Sequence, residues 1–274
     1  MVWCQVSREC GGCLEKEKSA VPAVEAAIRI IDLLSRYKTR KSTLSQIAKR
    51  LNLNKSTCLR ILRELNKHQV VSYNEDTKMY SLGIYLVVLG ERASEFSTKL
   101  DIAKPYLEKV VQKMNLTSVL VQPAGENRLM YVAKEEPMYN TFIKIQVAVG
   151  QYFPMTTTSF GKCFMAFMDE KKRNKIINKY GIKKFTEKTI TSKEEYLQNL
   201  KEVRETGYAV SHEEHTDGVV AVAAPVFDRE GSPSLSIACL GVAAYMDDEK
   251  IKMCGRLLKE CGLKLTRDLG GRKP

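Results

Sequence analysis

No stretch of this chain stays apolar for anything near the ~20 residues that cross a bilayer, and its N-terminus lacks the apolar core of a signal peptide. The chain is therefore expected in the cytoplasm, with no membrane partner. Gly161-Lys162 has no glycine five residues before it, and Cys163 stands where a magnesium-binding Ser or Thr should follow, so a phosphate loop is excluded. Histidine is scarce, at three in 274 residues, and the H-E-x-x-H zinc signature is absent. Cys10-Gly-Gly-Cys13 has the spacing of a zinc or redox pair but no second such pair nearby, so a closed four-ligand site would need distant residues. No internal repeat is present. The densest titratable cluster is His212, Glu213, Glu214, His215 and Asp217. A hydrolase using Cys163 with His215, or a two-histidine metal site, can be drawn from it. A spacing of three at a strand end, however, does not put both rings on one face. The cluster is read as a structural loop, and no catalytic residue, metal site or cofactor is expected.

What the chain does have is positive charge, unevenly spread. The net charge is +12, with 44% apolar and 28% charged residues, an ordinary globular balance of a length suited to two domains. Val21 to Tyr85 holds 12 Lys and Arg against 5 Asp and Glu. Less than a quarter of the chain thus supplies over half the excess, as expected of a surface that displaces counterions from phosphates. The other cysteines, Cys58, Cys163, Cys239, Cys254 and Cys261, sit among apolar residues and are read as packing.

Within the basic segment, KSTLSQIAKRLNLNKSTCLRILRELNKH (Lys41 to His68) reads as two helices and a tight turn. Thr43 and Gln46 form a capping box, and Leu44, Ile47, Ala48 and Leu51 make one apolar face. Asn52 readily takes the left-handed conformation that ends a helix, and Asn54 can cap the next. Cys58, Ile61, Leu62 and Leu65 repeat the stripe, and Ala48 is small where the helices would cross. Lys55, Ser56, Thr57, Arg60 and Arg63 are left outside. A helix-turn-helix uses such a second helix to meet base edges and phosphates in the major groove.

Met1 to Ala20 is a polar leader, expected to be disordered, with Cys4, Cys10 and Cys13 in it. A first helix follows Pro22 and is expected to bury Val24, Ala27, Ile28, Ile31 and Leu34. Arg36 to Arg40 is a basic connection, so Arg40 and Thr43 are placed with the DNA contacts. Val70 to Tyr73 and Met79 to Leu82 flank a polar turn and make a hairpin, a wing with Lys78 near its tip for phosphate. Ile84 to Leu89 is six apolar residues in one helix, which is apolar nearly all round and needs cover. The cover is either the second domain or the same helix of a partner subunit, which would present two recognition helices to a two-fold site. The boundaries are 1–20 leader, 21–82 winged helix-turn-helix, 83–97 linker and dimerisation helix, and 98–274 a second domain.

That second domain is expected to hold an amphipathic helix, Leu100 to Met114, and strands around Ser118–Gln122, Leu129–Ala133 and Phe142–Val149. Helices are expected at Phe160–Met168, Lys171–Tyr180 and Lys193–Glu205. Strands follow at Tyr208–His212, Val219–Phe227 and Leu235–Ala244, then a helix from Asp247 to about Leu269. Grouped rather than alternating elements point to α+β, a mixed or antiparallel sheet with helices packed on it.

The segments VEAAIRIIDLL, SQIAKRLNLNKSTCLRILREL, VGQYFPMTTTSFGKCFMAF and TGYAVSHEEHTDGVVAVAAPVFDREG together resemble the IclR family of bacterial transcription regulators, from about Val21 to the end. The resemblance implies a winged helix-turn-helix, a dimerising linker helix and a GAF-like domain binding a small effector, usually an organic or aromatic acid. It also implies a homodimer, often a dimer of dimers, on a double-stranded DNA operator, and a repressor as the expected outcome. Carried over by position, the effector pocket would use Ser159 and Phe160, whose backbone N–H groups lie where a helix starts, with Ser211, Ala221, Ala238 and Leu240. Some members that bind very small polar acids have an acidic residue, a Cys and two Ser at the last four positions, and Thr156 replaces a commonly found His. The drier set favours a ligand with an apolar or aromatic body, because an unpaired buried polar group costs roughly 1 to 3 kcal/mol. The alternative is a redox- or metal-responsive regulator sensing through Cys4, Cys10 and Cys13.

Overall fold

A computed structural model describes residues 21–95, 98–137, 145 and 147–274. The chain divides into two compact units, the second beginning at Thr98. The N-terminal unit runs α1 (Pro22–Ser35), β1 (Ser42–Thr43), α2 (Leu44–Leu51), α3 (Lys55–Lys67), β2 (Val71–Asn74), β3 (Met79–Leu82) and α4 (Tyr85–Glu95). The three strands form an antiparallel sheet in the order β1-β3-β2. Thr43 Oγ1 accepts from Gln46 N at 3.4 Å, and Gln46 Oε1 accepts from Thr43 N at 2.9 Å, so the capping box closes α2 in both directions. Asn52 ends the helix at φ 53°. Asn54 occupies the start of α3, but its side chain makes no capping bond.

The core of this unit joins Ile30, Leu33 and Leu34 of α1 to Ile47, Ala48, Cys58 and Leu62 of the helical pair, closed by Val71 and Tyr80. The expected face of α1 is corrected by this arrangement. Ala26, Ile30, Leu33 and Leu34 are buried, while Val24 and Ile28 face solvent. α1 is apolar on more than one side, so two stripes of helical period compete, and packing against α2 and α3 selects between them.

The C-terminal unit is α5 (Thr98–Met114), β4 (Thr117–Pro123), β5 (Arg128–Glu135), β6 (Tyr152–Pro154), α6 (Ser159–Phe167), α7 (Glu170–Tyr180), α8 (Lys193–Thr206), β7 (Ala209–His212), β8 (Val219–Phe227), β9 (Pro233–Val242) and α9 (Asp248–Asp268), with a 3-10 turn at Ala243–Tyr245. The sheet order is β6-β5-β4-β9-β8-β7, and every pairing is antiparallel. This is the antiparallel form of the expected α+β architecture. Of the strand expected over Phe142–Val149, residues 142–144 and 146 lie outside the described residues, and the described remainder is not strand, with Val149 and Gly150 in a turn. The short β6 takes the edge position instead. Leader residues 1–20, with Cys4, Cys10 and Cys13, also lie outside the described residues.

Side chains on successive strand positions go to opposite layers. Val119, Val121, Ala221, Ala223, Ala238 and Leu240 join α6 and α8 in one core. Leu120, Val220, Val222, Ile237 and Cys239 join α5 and α9 in the other. The five cysteines expected to serve packing are free and buried. Helix α6 lies in the interior, with eight of its nine residues buried. Among the described residues no helix is long and apolar enough to cross a membrane.

Candidate functional site

The N-terminal unit presents its basic residues where the folding of α2 and α3 leaves them. Lys55, Ser56, Thr57, Arg60 and Arg63 are all exposed on α3, while Cys58 and Leu62 face inward. Asn74 Oδ1 accepts from Thr77 N at 2.8 Å and from Thr77 Oγ1 at 2.7 Å, which tightens the wing turn. Lys78 follows at φ 54°, exposed, in the left-handed position that commonly closes such a hairpin. Strand β1 pairs with β3 so that Thr43 lies opposite Met79. The start of α2 and the wing residue Lys78 are thereby brought together, although 35 positions separate Thr43 from Lys78. Arg40, on the approach to β1, stacks its guanidinium 4.6 Å from the Tyr37 ring centre. A cationic plane held over an aromatic ring is partly ordered before any phosphate arrives.

The C-terminal unit contains a cavity of about 40 Å³ beside the first turn of α6. Thr158, Ser159 and Phe160 form one edge, Tyr131 and Phe153 an aromatic wall, and Ser211, Val219, Ala221 and Leu240 the strand side. His215 and Thr216 close it from the loop after β7. Tyr131 and Phe153 sit 4.5 Å apart between ring centres, and Phe160 meets both edge-on at 5.6 and 5.2 Å. Thr158 Oγ1 accepts from Gly161 N at 3.0 Å and so caps α6. The hydroxyl of Ser159 is buried with no hydrogen-bond partner. No charged side chain lines the cavity among the described residues.

Five of the seven pocket residues carried over in the sequence reading, Ser159, Phe160, Ser211, Ala221 and Leu240, line this cavity. Thr156 and Ala238 do not: Thr156 is buried in the turn between β6 and α6, and Ala238 is covered in the core beside Leu240. The sequence reading missed Tyr131, Phe153, Thr158, Thr216 and Val219. It also missed a buried ion pair, in which Lys162 Nζ donates to Glu214 Oε1 at 2.6 Å and to the Val210 carbonyl at 3.1 Å. A lone lysine in the apolar run Phe160 to Met168 was the available signal. Burial draws the Lys162 ammonium below its ordinary pKa, against the pull of Glu214.

His212 is exposed, whereas His215 lies between Phe185, stacked at 4.6 Å, and Phe153, edge-on at 5.4 Å. Burial lowers the His215 pKa from 6.5 to about 4, so the ring is neutral near pH 7. As pH falls below 6.5 the unfolded chain takes up a proton there that the native fold refuses. Stability is therefore complete above that value and is lost toward pH 4, on the order of 3 kcal/mol. His215→Phe is expected to flatten this slope, measured by urea denaturation at pH 7 and pH 4.5. An unchanged slope would mean another group carries it. Burial pushes the Cys163 thiol up to about 12, far from a thiolate nucleophile. Among the described residues no group of three or more His, Cys, Asp or Glu is placed to hold a metal.

Residues 98–267 match the model of the bacterial transcriptional regulator IclR C-terminal domain, and residues 23–75 match that of the IclR helix-turn-helix domain. The chain belongs to the IclR family. The HTH-type transcriptional regulator XynR of Escherichia coli is 29% identical over 253 residues, covering 91% of this chain and 98% of XynR. An IclR-type transcriptional regulator from Alicyclobacillus acidocaldarius superposes with a TM-score of 0.85 at 40% identity, over 91% of this chain and 99% of that one. An IclR homologue of Microbacterium hydrocarbonoxydans, crystallised with 4-hydroxybenzoate, shares the fold at a TM-score of 0.75 and 18% identity, over 90% and 99%. IclR proteins are transcriptional regulators, not enzymes, and their helix-turn-helix domains bind DNA.

Proposed function

We propose that this chain is an effector-controlled repressor that holds a two-fold operator as a dimer and is regulated by a small organic or aromatic monocarboxylic acid. The observation that carries the effector reading is the Ser159 hydroxyl, buried without a partner at the N-terminus of α6 in a cavity walled mainly by rings and aliphatic groups, with further hydroxyls only from Thr158, Ser211 and Thr216. The amides of a first helical turn favour an anion, and an unpaired hydroxyl offers it a further donor. Tyr131, Phe153 and Phe160 suit an apolar or aromatic body. The Microbacterium relative crystallised with 4-hydroxybenzoate supports the same class. A thermal-shift screen of aromatic and aliphatic acids tests it. An acid at ~100 times its dissociation constant should stabilise the fold by about 2.7 kcal/mol, and no shift across the series would defeat the reading.

On the DNA side, Arg40, Thr43 and Lys78 are assigned to phosphates, and Lys55, Ser56, Thr57 and Arg60 to sequence selection. Arg60→Ala is expected to lose about 1 to 3 kcal/mol of preference for a duplex selected by the wild-type chain, with little loss on random DNA. Lys78→Ala should weaken both duplexes alike and lower the salt slope by about one. Gel-shift titrations at several salt concentrations separate the two, and equal behaviour of both variants would overturn the assignment.

The dimer is supported by α4. Ile84, in the turn before α4, and Val87 are 68% and 63% exposed, and Val88 and Leu89 are also open to solvent, on a helix whose first turns carry almost no polar side chain. Such a contiguous apolar surface marks an interaction site, and a second copy of the same helix offers a matching one. Effector binding would then act through the linker, shifting the balance between bound and free states.

A further inference from the structure

The cavity is too small for the ligand class it suits. An apolar cavity of roughly 150 Å³ binds benzene, and this one measures about 40 Å³. To take in an aromatic acid whole, a wall has to yield. Strands β8 and β9, helix α6 and the buried turn 155–158 are packed into the core, and Tyr131 and Phe153 are held by the pairing of β5 with β6; the irregular, partly exposed segment 213–217 is the wall freest to move.

That segment is held from two sides. On its outer side, Thr186 Oγ1 donates to the Glu213 carbonyl at 2.8 Å, and Thr189 Oγ1 to the Glu214 carbonyl at 2.6 Å. The Glu213 carboxylate accepts from Gly218 N at 2.8 Å and pairs with Lys188, while Glu213 itself stands at φ 58°, a costly conformation for a side-chain-bearing residue. On its inner side Glu214 reaches Lys162, three residues beyond Ser159 on the opposite wall. Both charges are nearly sealed from water, with side-chain exposures of 1% and 8%. A buried ion pair is a weak stabiliser, because apolar residues of similar volume often replace it at no cost, whereas removing one partner leaves a charge stranded. What the pair supplies here is position. It ties the two facing edges of one cavity, and the next residue after Glu214 is the ring that closes it.

We propose that Lys162 and Glu214 form a latch that holds the 213–217 wall against α6, narrowing the cavity and setting His215 and Thr216 in place. These are positioning residues, and the functional meaning of the latch rests on the effector reading of the cavity. Its test does not, because it is made on the ligand-free full-length chain. In the double variant Lys162→Met, Glu214→Leu, amide hydrogen exchange over 213–218 should accelerate at least tenfold. Strands β8 and β9 should stay protected beyond Gly218, and the thermal midpoint should stay within a few degrees of wild type. The His215 ring proton, displaced upfield by its stacking on Phe185, should return toward an ordinary position in the NMR spectrum. Glu214→Gln, which keeps the shape but strands the Lys162 ammonium, should show the same local acceleration together with a lowered thermal midpoint, and its exchange pattern is the reading if the double variant does not fold. Unchanged exchange in 213–218, or acceleration spread equally through β7, β8 and β9, would overturn the latch. Failure of every acid in the thermal-shift screen would defeat the effector reading and leave the exchange result standing.

Discussion

Val87→Glu is expected to separate the proposed dimer and to lower affinity for a two-fold duplex by about 10²- to 10⁴-fold, the range that linkage of two binding modules commonly supplies. The substitution places a carboxylate in the middle of the apolar surface formed by Ile84, Val87, Val88 and Leu89. A second copy of the helix would have to strip water from that charge with no cation opposite, which costs several kcal/mol. The protomer itself loses nothing comparable. Val87 is 63% exposed, and glutamate is the better helix former. Light scattering at micromolar concentration should report a shift from dimer to monomer with unchanged helicity. A Val87→Glu chain that stays dimeric and binds as before would move the subunit contact elsewhere.

Gly161→Ala should destabilise the C-terminal unit by about 1 to 3 kcal/mol or more and leave the N-terminal unit folded. A methyl group at this position would lie 2.1 Å from the Met155 carbonyl oxygen and 2.9 Å from Thr158 Oγ1. The first of these is backbone, so no rotamer change relieves it. Either the turn from Met155 to Thr158 moves or α6 does. Both carry the cavity's first edge, and Thr158 would lose its cap on the helix. The thermal transition of the C-terminal unit should be lowered, with that of the N-terminal unit unchanged. An unshifted transition would show that the turn before α6 yields easily.

How much of this was legible beforehand depends on how far apart the deciding residues lie. The α2–α3 pair is written locally: Thr43 with Gln46, Asn52 after the last apolar residue, and two stripes of helical period settle it within a few turns. The buried face of α1 was not, because Val24 and Ile28 satisfy the same period as Ala26 and Ile30, and only the partner helices choose. The aromatic wall was hidden for a different reason. Tyr131 and Phe153 meet because β5 and β6 pair antiparallel, with Leu129 opposite Phe153, and a three-residue edge strand leaves almost no periodic signal. His212 and His215 do part, though by a different route from strand alternation: β7 ends at His212 in solvent, and the chain turns at Glu213 before His215 reaches the cavity from the loop. The partner of Lys162 lies 52 residues further on, beyond any pattern of spacing.

Ala221 and Leu240 face the cavity, while their chain neighbours Val220, Val222 and Cys239 press on α5 and α9. A sheet built this way is a diaphragm one residue thick. Whatever bulges its inner skin has nowhere to send the displacement except into the two helices behind, and α5 is the piece of that backing that opens the second unit at Thr98. An occupant thus presses on α5 and α9 without touching a single amino acid outside its own chamber.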